Sequence, residues 1–156
     1  ITASDKGYAG EREDKSGSVI EEIVTAHELE VTGKVILPDD RQILSDQMLN
    51  YCHQGIDLIL TTGGTGFSKR DVTPEATADI VERRADNLTF AMIANSLQYI
   101  PKAMLSRGIA GIRENTLIVN LPGSPKAVRE NLEYAIDAII HGVKILKGDD
   151  AECARK

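Results

Sequence analysis

The chain has 156 residues, 42% hydrophobic, 27% charged and 4% aromatic, with 18 basic against 24 acidic side chains and a net charge of −6. Its size and ordinary globular composition fit a single domain, residues 1–156, and exclude a disordered chain. No apolar run approaches the ~20 residues that span a bilayer, and a chain that is acidic and poor in aromatic rings lacks both a basic field and a stacking platform, so neither membrane nor nucleic acid is expected as a partner.

Ile1-Thr-Ala-Ser4 reads as the end of a strand whose beginning is missing, and with no secretory signal visible the expected compartment is the cytoplasm. The segment 5–15 is charged and contains glycine, which predicts a loop long enough to be mobile or functional. Ser16 or Ser18 is placed to cap a helix carrying Val19, Ile20, Ile23, Val24 and His27 at helical spacing. The β-branched run 29–37 predicts a strand, which Pro38 ends. Asp39 or Asp40 then caps a second helix whose apolar face is Leu44, Met48, Tyr51 and Cys52, and Gly55 stops it. The apolar run 56–62 has the character of a central strand, and Gly63-Gly-Thr-Gly66 follows at once.

Thr73 is the expected cap of a third helix with Pro74 at its first position. A further helix is predicted over 87–98, then strands over 109–113 and 116–121, a turn at 122–125, and a last helix closing near Gly148. That helix carries Val128, Leu132, Ala135, Ile136, Ile139 and Val143 on one face. Repeated strand–helix alternation in one domain predicts an α/β fold, a three-layer α/β/α sandwich around a mostly parallel sheet. Ligands in such sheets bind beyond the carboxyl ends of the strands, which directs attention to the loops at 5–15, 38–40, 63–73 and 122–126.

Thr61-Thr-Gly-Gly-Thr-Gly66 can bring backbone N–H groups close to an anion, with hydroxyls from Thr61, Thr62 and Thr65; the same residues also fit a tight turn that merely needs glycine. No Gly-Lys-Ser/Thr follows, so it is not a Walker A loop, and it lacks the third glycine of a dinucleotide fingerprint. Asp71, between this turn and a helix start, would be repelled by a phosphate unless a cation lies between them, which makes it a candidate Mg²⁺ ligand; helix capping or pairing with Arg70 is the alternative. Asp39 ends a predicted strand and should share that rim. Two such carboxylates suit metal-assisted phosphoryl or nucleotidyl transfer.

Asn120-Leu-Pro-Gly-Ser-Pro-Lys126 is a second strand end with a glycine turn and helix start, so Ser124 and the free N–H groups there form a second anion site with Lys126 nearby. Arg107 is a further cation candidate, and Ser106 a candidate binding hydroxyl. Cys52 and Cys153 fit neither a disulfide framework nor a zinc pattern and read as free thiols. His27, His53 and His141 lie in predicted helices away from these loops, which leaves no histidine for acid–base work.

Thr61-Thr-Gly-Gly-Thr-Gly66 followed by Arg70-Asp-Val-Thr-Pro-Glu-Ala-Thr77 resembles the signature of the MogA-type molybdopterin adenylyltransferases, which share their fold with MoaB proteins and the gephyrin G domain. The segments 1–5, 37–39, 104–107, 110–113 and 120–126 fit the same family in order, so the resemblance spans nearly the whole chain. It implies Mg²⁺-dependent transfer of AMP from ATP to the terminal phosphate of molybdopterin, releasing pyrophosphate and giving adenylated molybdopterin for a downstream molybdenum insertase. By the same resemblance Asp39 and Asp71 are the catalytic and metal-binding carboxylates. Thr62, Gly63, Gly64, Thr65 and Gly66 line the nucleotide phosphates, and Ser106, Asn120, Gly123, Ser124 and Lys126 form the pterin and phosphate surface. It also implies a homotrimer, or a hexamer as in MoaB-type members. A MoaB-like protein that binds molybdopterin without efficient adenylyl transfer is the competing expectation. CinA proteins and molybdenum insertases have related turns or domains but normally carry extra domains.

Overall fold

A computed structural model describes residues 1–149; Cys153 lies outside them. Six strands form one sheet in the order β2-β1-β3-β6-β5-β4, with β1 at Thr2–Ala3, β2 at Ile36–Leu37, β3 at Leu58–Thr62, β4 at Arg83–Arg84, β5 at Ala110–Arg113 and β6 at Thr116–Leu121. The first four in that order run parallel, and β5 and β4 add on antiparallel, which confirms a mostly parallel sheet. The helices are α1 (Asp5–Tyr8), α2 (Lys15–Ala26), α3 (Arg41–His53), α4 (Thr73–Ala78), α5 (Asp86–Leu97) and α6 (Pro125–Lys147), with a 3₁₀ turn at Pro101–Leu105.

The three layers follow from strand alternation, which sends successive side chains to opposite faces. Leu60 of β3 and Leu117, Val119 and Leu121 of β6 pack with Ile23 and Val24 of α2, Met92 of α5 and Val128, Leu132, Ile136 and Ile139 of α6. Ile59 and Ile118 face the other way, into Leu44, Met48 and Cys52 of α3 and Ala76 and Ile80 of α4. Leu44 and Met48 are sealed from solvent, so truncating either to alanine would cost about 2–5 kcal/mol.

Several local expectations are corrected. The cap of α2 is Asp14, whose carboxylate accepts from Gly17 N at 2.8 Å; Ser16 and Ser18 lie inside the helix. The strand expected over 29–37 is confined to Ile36–Leu37, because residues 30–34 are exposed and have no apolar face to bury. Thr73 is the first residue of α4 rather than its cap; Val72 stands at the cap without a side-chain bond. The loop 5–15 contains the single turn α1, capped by Ser4. Strand β4 had no sequence signal, being two exposed arginines paired to β5 through backbone alone. Asp40 caps α3 by accepting from Ile43 N at 3.0 Å, and Gly148 ends α6 in the left-handed conformation.

The chain runs from β1 outward to β2, then crosses to β3 on the other side of β1. This reversal puts a topological switch point between β1 and β3, where open parallel sheets bind ligands at their carboxyl edge. Ser4, Asp39, Gly63 and Pro122 each stand within two residues of a strand's carboxyl end there.

Candidate functional site

At the switch point lies a cleft of about 820 Å³, lined by Ser4, Arg12, Asp14, Lys15, Ser16, Asp39, Thr62, Gly63, Gly64, Asp71, Gly123 and Ser124 among others. A more apolar hollow of about 500 Å³ lies toward the amino ends of the strands, away from the 63–66 and 122–124 turns and from Asp39 and Asp71. A third hollow of about 260 Å³ opens between α5 and α6, lined by Met92, Ile93, Ser106, Asn120, Pro122, Ser124 and neighbours. Ser124 borders both this hollow and the cleft.

The floor of the cleft is built from two glycine turns in contact. Gly63 has φ +88 and sits against β1, where a Cβ would lie 2.3 Å from the Ala3 carbonyl oxygen. A Cβ on Gly123 would lie 3.4 Å from Gly63 Cα, so the turns pack backbone to backbone. Two hydroxyls tie the second turn down: Thr62 Oγ1 donates to Pro122 O at 2.7 Å and Ser16 Oγ to Gly123 O at 2.8 Å. The amino ends of α2 and α6 border the cleft at 14–16 and 124–125, and their dipoles favour an anion there, although Pro125 has no N–H and the Lys15, Gly17 and Ala127 N–H groups are bonded to Glu13 O, Asp14 Oδ1 and Ser124 Oγ.

The acidic side is organised around Asp39. Its Oδ2 accepts from Asp5 N at 3.0 Å, while Asp5 Oδ1 accepts from Asp39 N at 2.9 Å, a reciprocal clasp joining the ends of β1 and β2. Arg70 closes it with two bonds of 2.9 Å to the Asp5 carboxylate. Those bonds, with the Asp39 amide, hold the Asp5 carboxyl below its ordinary pKa. Asp39 goes the other way. Burial raises its pKa, as do the like charges of Asp5 and Asp71, against the opposing bond from the Asp5 amide. Asp39 Oδ1 is buried with no partner, and so is the hydroxyl of fully buried Thr73; both flank Gly64.

A half-buried carboxylate with one sealed, unpartnered oxygen and two acidic neighbours is suited to a cation. Among the described residues no three His, Cys, Asp or Glu side chains converge into a complete cage. Asp39 and Asp71 would suit only an ion that takes one or two carboxylates and fills its remaining positions with water and phosphate, as Mg²⁺ does.

The other expected residues divide. Gly63 and Gly64 reach the cleft; Thr65 is buried just behind, and a Cβ on Gly66 would lie 2.8 Å from Asp71 Oδ2. Thr62 spends its hydroxyl on Pro122. Ser106 and Ser124 border the smaller hollow, although the Ser124 hydroxyl accepts the capping bond from Ala127 N at 3.1 Å. Asn120 also borders it, but its amide bonds inward to Thr61, Thr77 and the Ile109 N–H. Lys126 borders neither space and lies 3.9 Å from Glu130, with its side chain 78% exposed. Arg107 is turned inward onto backbone carbonyls and Glu75. Sequence reasoning left Asp5, Arg12, Lys15 and Ser16 out of the site; the available signal was their place in the polar loop after the first strand.

The family described as a probable molybdopterin binding domain matches residues 1–141. The molybdopterin adenylyltransferase of Helicobacter pylori is 39% identical over 152 residues, covering 96% of this chain and 86% of that protein. Gephyrin of Dictyostelium discoideum is 40% identical over 156 residues and covers 94% of this chain, which spans only 22% of gephyrin. The crystal structure of the molybdopterin biosynthesis enzyme MoaB from Thermus thermophilus superposes with a TM-score of 0.89 at 41% identity, covering 94% of this chain and 93% of that one.

Proposed function

The chain belongs to the family of molybdopterin binding domains, and from that premise we propose that it is a molybdopterin adenylyltransferase using ATP and Mg²⁺. The observation that carries the reading is the meeting, in one cleft, of two glycine turns with the Asp39 and Asp71 carboxylates at the sheet's switch point. A terminal phosphate oxygen of molybdopterin bonds to the α-phosphorus of ATP. The bond from that phosphorus to its β-bridging oxygen breaks, and pyrophosphate leaves with the electron pair.

An ionised phosphate needs no general base, so the work of the chain is positioning and neutralising charge. The 63–64 turn receives phosphates through backbone N–H groups, the positive dipole ends of α2 and α6 face them, and Arg12 and Lys15 stand on the same lining. Mg²⁺ bound by Asp39 and Asp71 would offset the charge gathered on the phosphates. The smaller hollow takes the pterin, and Ser124 marks where its phosphate passes into the cleft. Asn120 serves by holding the wall through its bonds to Thr61 and Thr77. Assembly as a homotrimer and delivery of the product to a molybdenum insertase complete the reading. No helix among the described residues is long and apolar enough to cross a membrane.

The test is incubation with molybdopterin, ATP and Mg²⁺, followed by mass analysis for adenylated molybdopterin. The expected product disappears when Mg²⁺ is chelated. Stoichiometric molybdopterin binding without product would instead identify a MoaB-like binding protein.

A further inference from the structure

Asp71 stands at the end of a loop with little to hold it. Phe67, Ser68, Lys69 and Arg70 are all exposed, so no buried side chain within that stretch anchors it. Its internal bonds are local: Asp71 N to Ser68 O at 3.0 Å, and Ser68 N to Asp71 Oδ2 at 3.1 Å. The bidentate Arg70–Asp5 pair ties the loop only to α1 and lies in solvent-exposed space, where screening weakens it.

Arg107 supplies the tie to the rest of the fold. Its backbone N–H donates to Thr65 O at 2.8 Å, and Nε and Nη2 donate to Gly66 O and Asp71 O, each at 2.7 Å. One residue thus holds the loop at both ends. Its remaining nitrogen, Nη1, pairs with the Glu75 carboxylate on α4, which fixes the guanidinium plane from the far side. Burial opposes ionisation of Glu75, yet the Arg107 hydrogen bond, a backbone bond and the charges of Arg107 and Arg41 together keep the carboxyl below its ordinary pKa. The guanidinium charge is therefore spent on a carboxylate and two carbonyls rather than directed at a ligand.

We propose that Arg107, oriented by Glu75, is a positioning residue for Asp71, clamping both ends of the 66–71 loop so that the carboxylate faces the cleft. A planar fork with several donors can bridge two carbonyls and a carboxylate at once, which an ammonium on a flexible stem does not reproduce. The catalytic consequence rests on the adenylyl-transfer reading; the clamp itself does not.

Two readouts on the full chain separate them. In amide hydrogen exchange, Arg107→Ala should exchange the Ser68 and Asp71 amides roughly 10-fold faster or more, with amides of α6 unchanged. In transfer assays with molybdopterin, ATP and Mg²⁺, kcat should fall about 100-fold while molybdopterin affinity stays within threefold, because a small misplacement of a reacting group costs rate rather than binding. Arg107→Lys should rescue neither. Glu75→Gln should loosen the loop to a smaller degree, and it decides the matter if Arg107→Ala does not fold. Unchanged exchange at Ser68 and Asp71, or full rescue by lysine, would overturn the clamp. Loosened exchange with unchanged kcat would overturn the positioning role. A wild-type chain that forms no adenylated molybdopterin would sink the transferase reading, while the exchange data would still decide on the clamp.

Discussion

Replacing Gly63 by alanine tests whether the cleft floor depends on a close approach or only on a flexible turn. Alanine at φ +88 costs about 1–2 kcal/mol for its left-handed backbone. Its Cβ would also lie 2.3 Å from the Ala3 carbonyl oxygen, a backbone atom of a strand bonded on both sides, so β1 and β3 must part. Relieving such a contact adds about 1–3 kcal/mol, for a total of about 2–5 kcal/mol. In a domain of this length that lowers Tm by roughly 5–15 °C. Gly55→Ala is the control: φ is +76, but nothing lies within 4 Å of its Cβ. Only the backbone term applies there, and Tm should fall by roughly 2–6 °C. Calorimetric melts of the two variants and wild type give the comparison. Equal losses would show that β1 and the glycine turn are not in the tight contact from which the cleft is built.

Asp39→Asn should abolish transfer while raising Tm at pH 7, because it removes a charge that burial and the like charges of Asp5 and Asp71 disfavour. The sign follows from its raised pKa: the Asp39 carboxyl favours the fold when protonated, and that contribution is lost as pH rises through the folded-state value. The Tm advantage of the variant should therefore shrink on acidification, and melts across pH 3–7 check it; an advantage independent of pH would refute the cause. Asp71→Asn should stop turnover with molybdopterin binding largely intact, read by product mass and by titration; lost binding with normal turnover per bound substrate would contradict its role. Asn120→Ala leaves Thr61, Thr77 and the Ile109 N–H short of partners and should cost about 2–4 kcal/mol in denaturant melts. Arg12→Ala with Lys15→Ala should weaken ATP binding several-fold at low salt and less at high salt, since both cations are exposed and screened there; equal loss at both salt concentrations would argue against a steering role.

The elements that read well from sequence were those whose patterns have a single physical outcome. The apolar run ending at Thr62 is β3, flanked by helices on both faces; the 3.6-residue period from Val128 to Val143 is α6; and a glycine cluster at a strand end is a turn. Where two residues competed for one task, local pattern could not choose. Asp14 rather than Ser16 caps α2 because Ser16 is drawn to Gly123, 107 positions away, a contact that only the closed sheet creates. The adjacent acids Asp39 and Asp40 are alike in sequence, yet one caps α3 and the other turns into the cleft, because the strand ends at Leu37 and the helix begins at Arg41.

The charges show the same limit most clearly. Sequence offered Arg107 and Lys126 as cations for a polyanionic ligand, and spacing supplies no means of telling a ligand-facing guanidinium from one consumed by the fold. In the structure Arg70 is bound to Asp5, Arg107 to Glu75 and two carbonyls, and Lys126 lies away from the cleft. Arg12 and Lys15 border it instead, on a lining that also holds Glu13, Asp14, Asp39 and Asp71. A cleft lined by four carboxylates against two cations cannot hold phosphates by its own side-chain charges alone. It needs backbone N–H groups for the oxygens and a divalent ion between carboxylate and phosphate, so the dependence of binding on Mg²⁺ should be steepest for the ligand that carries the most phosphates.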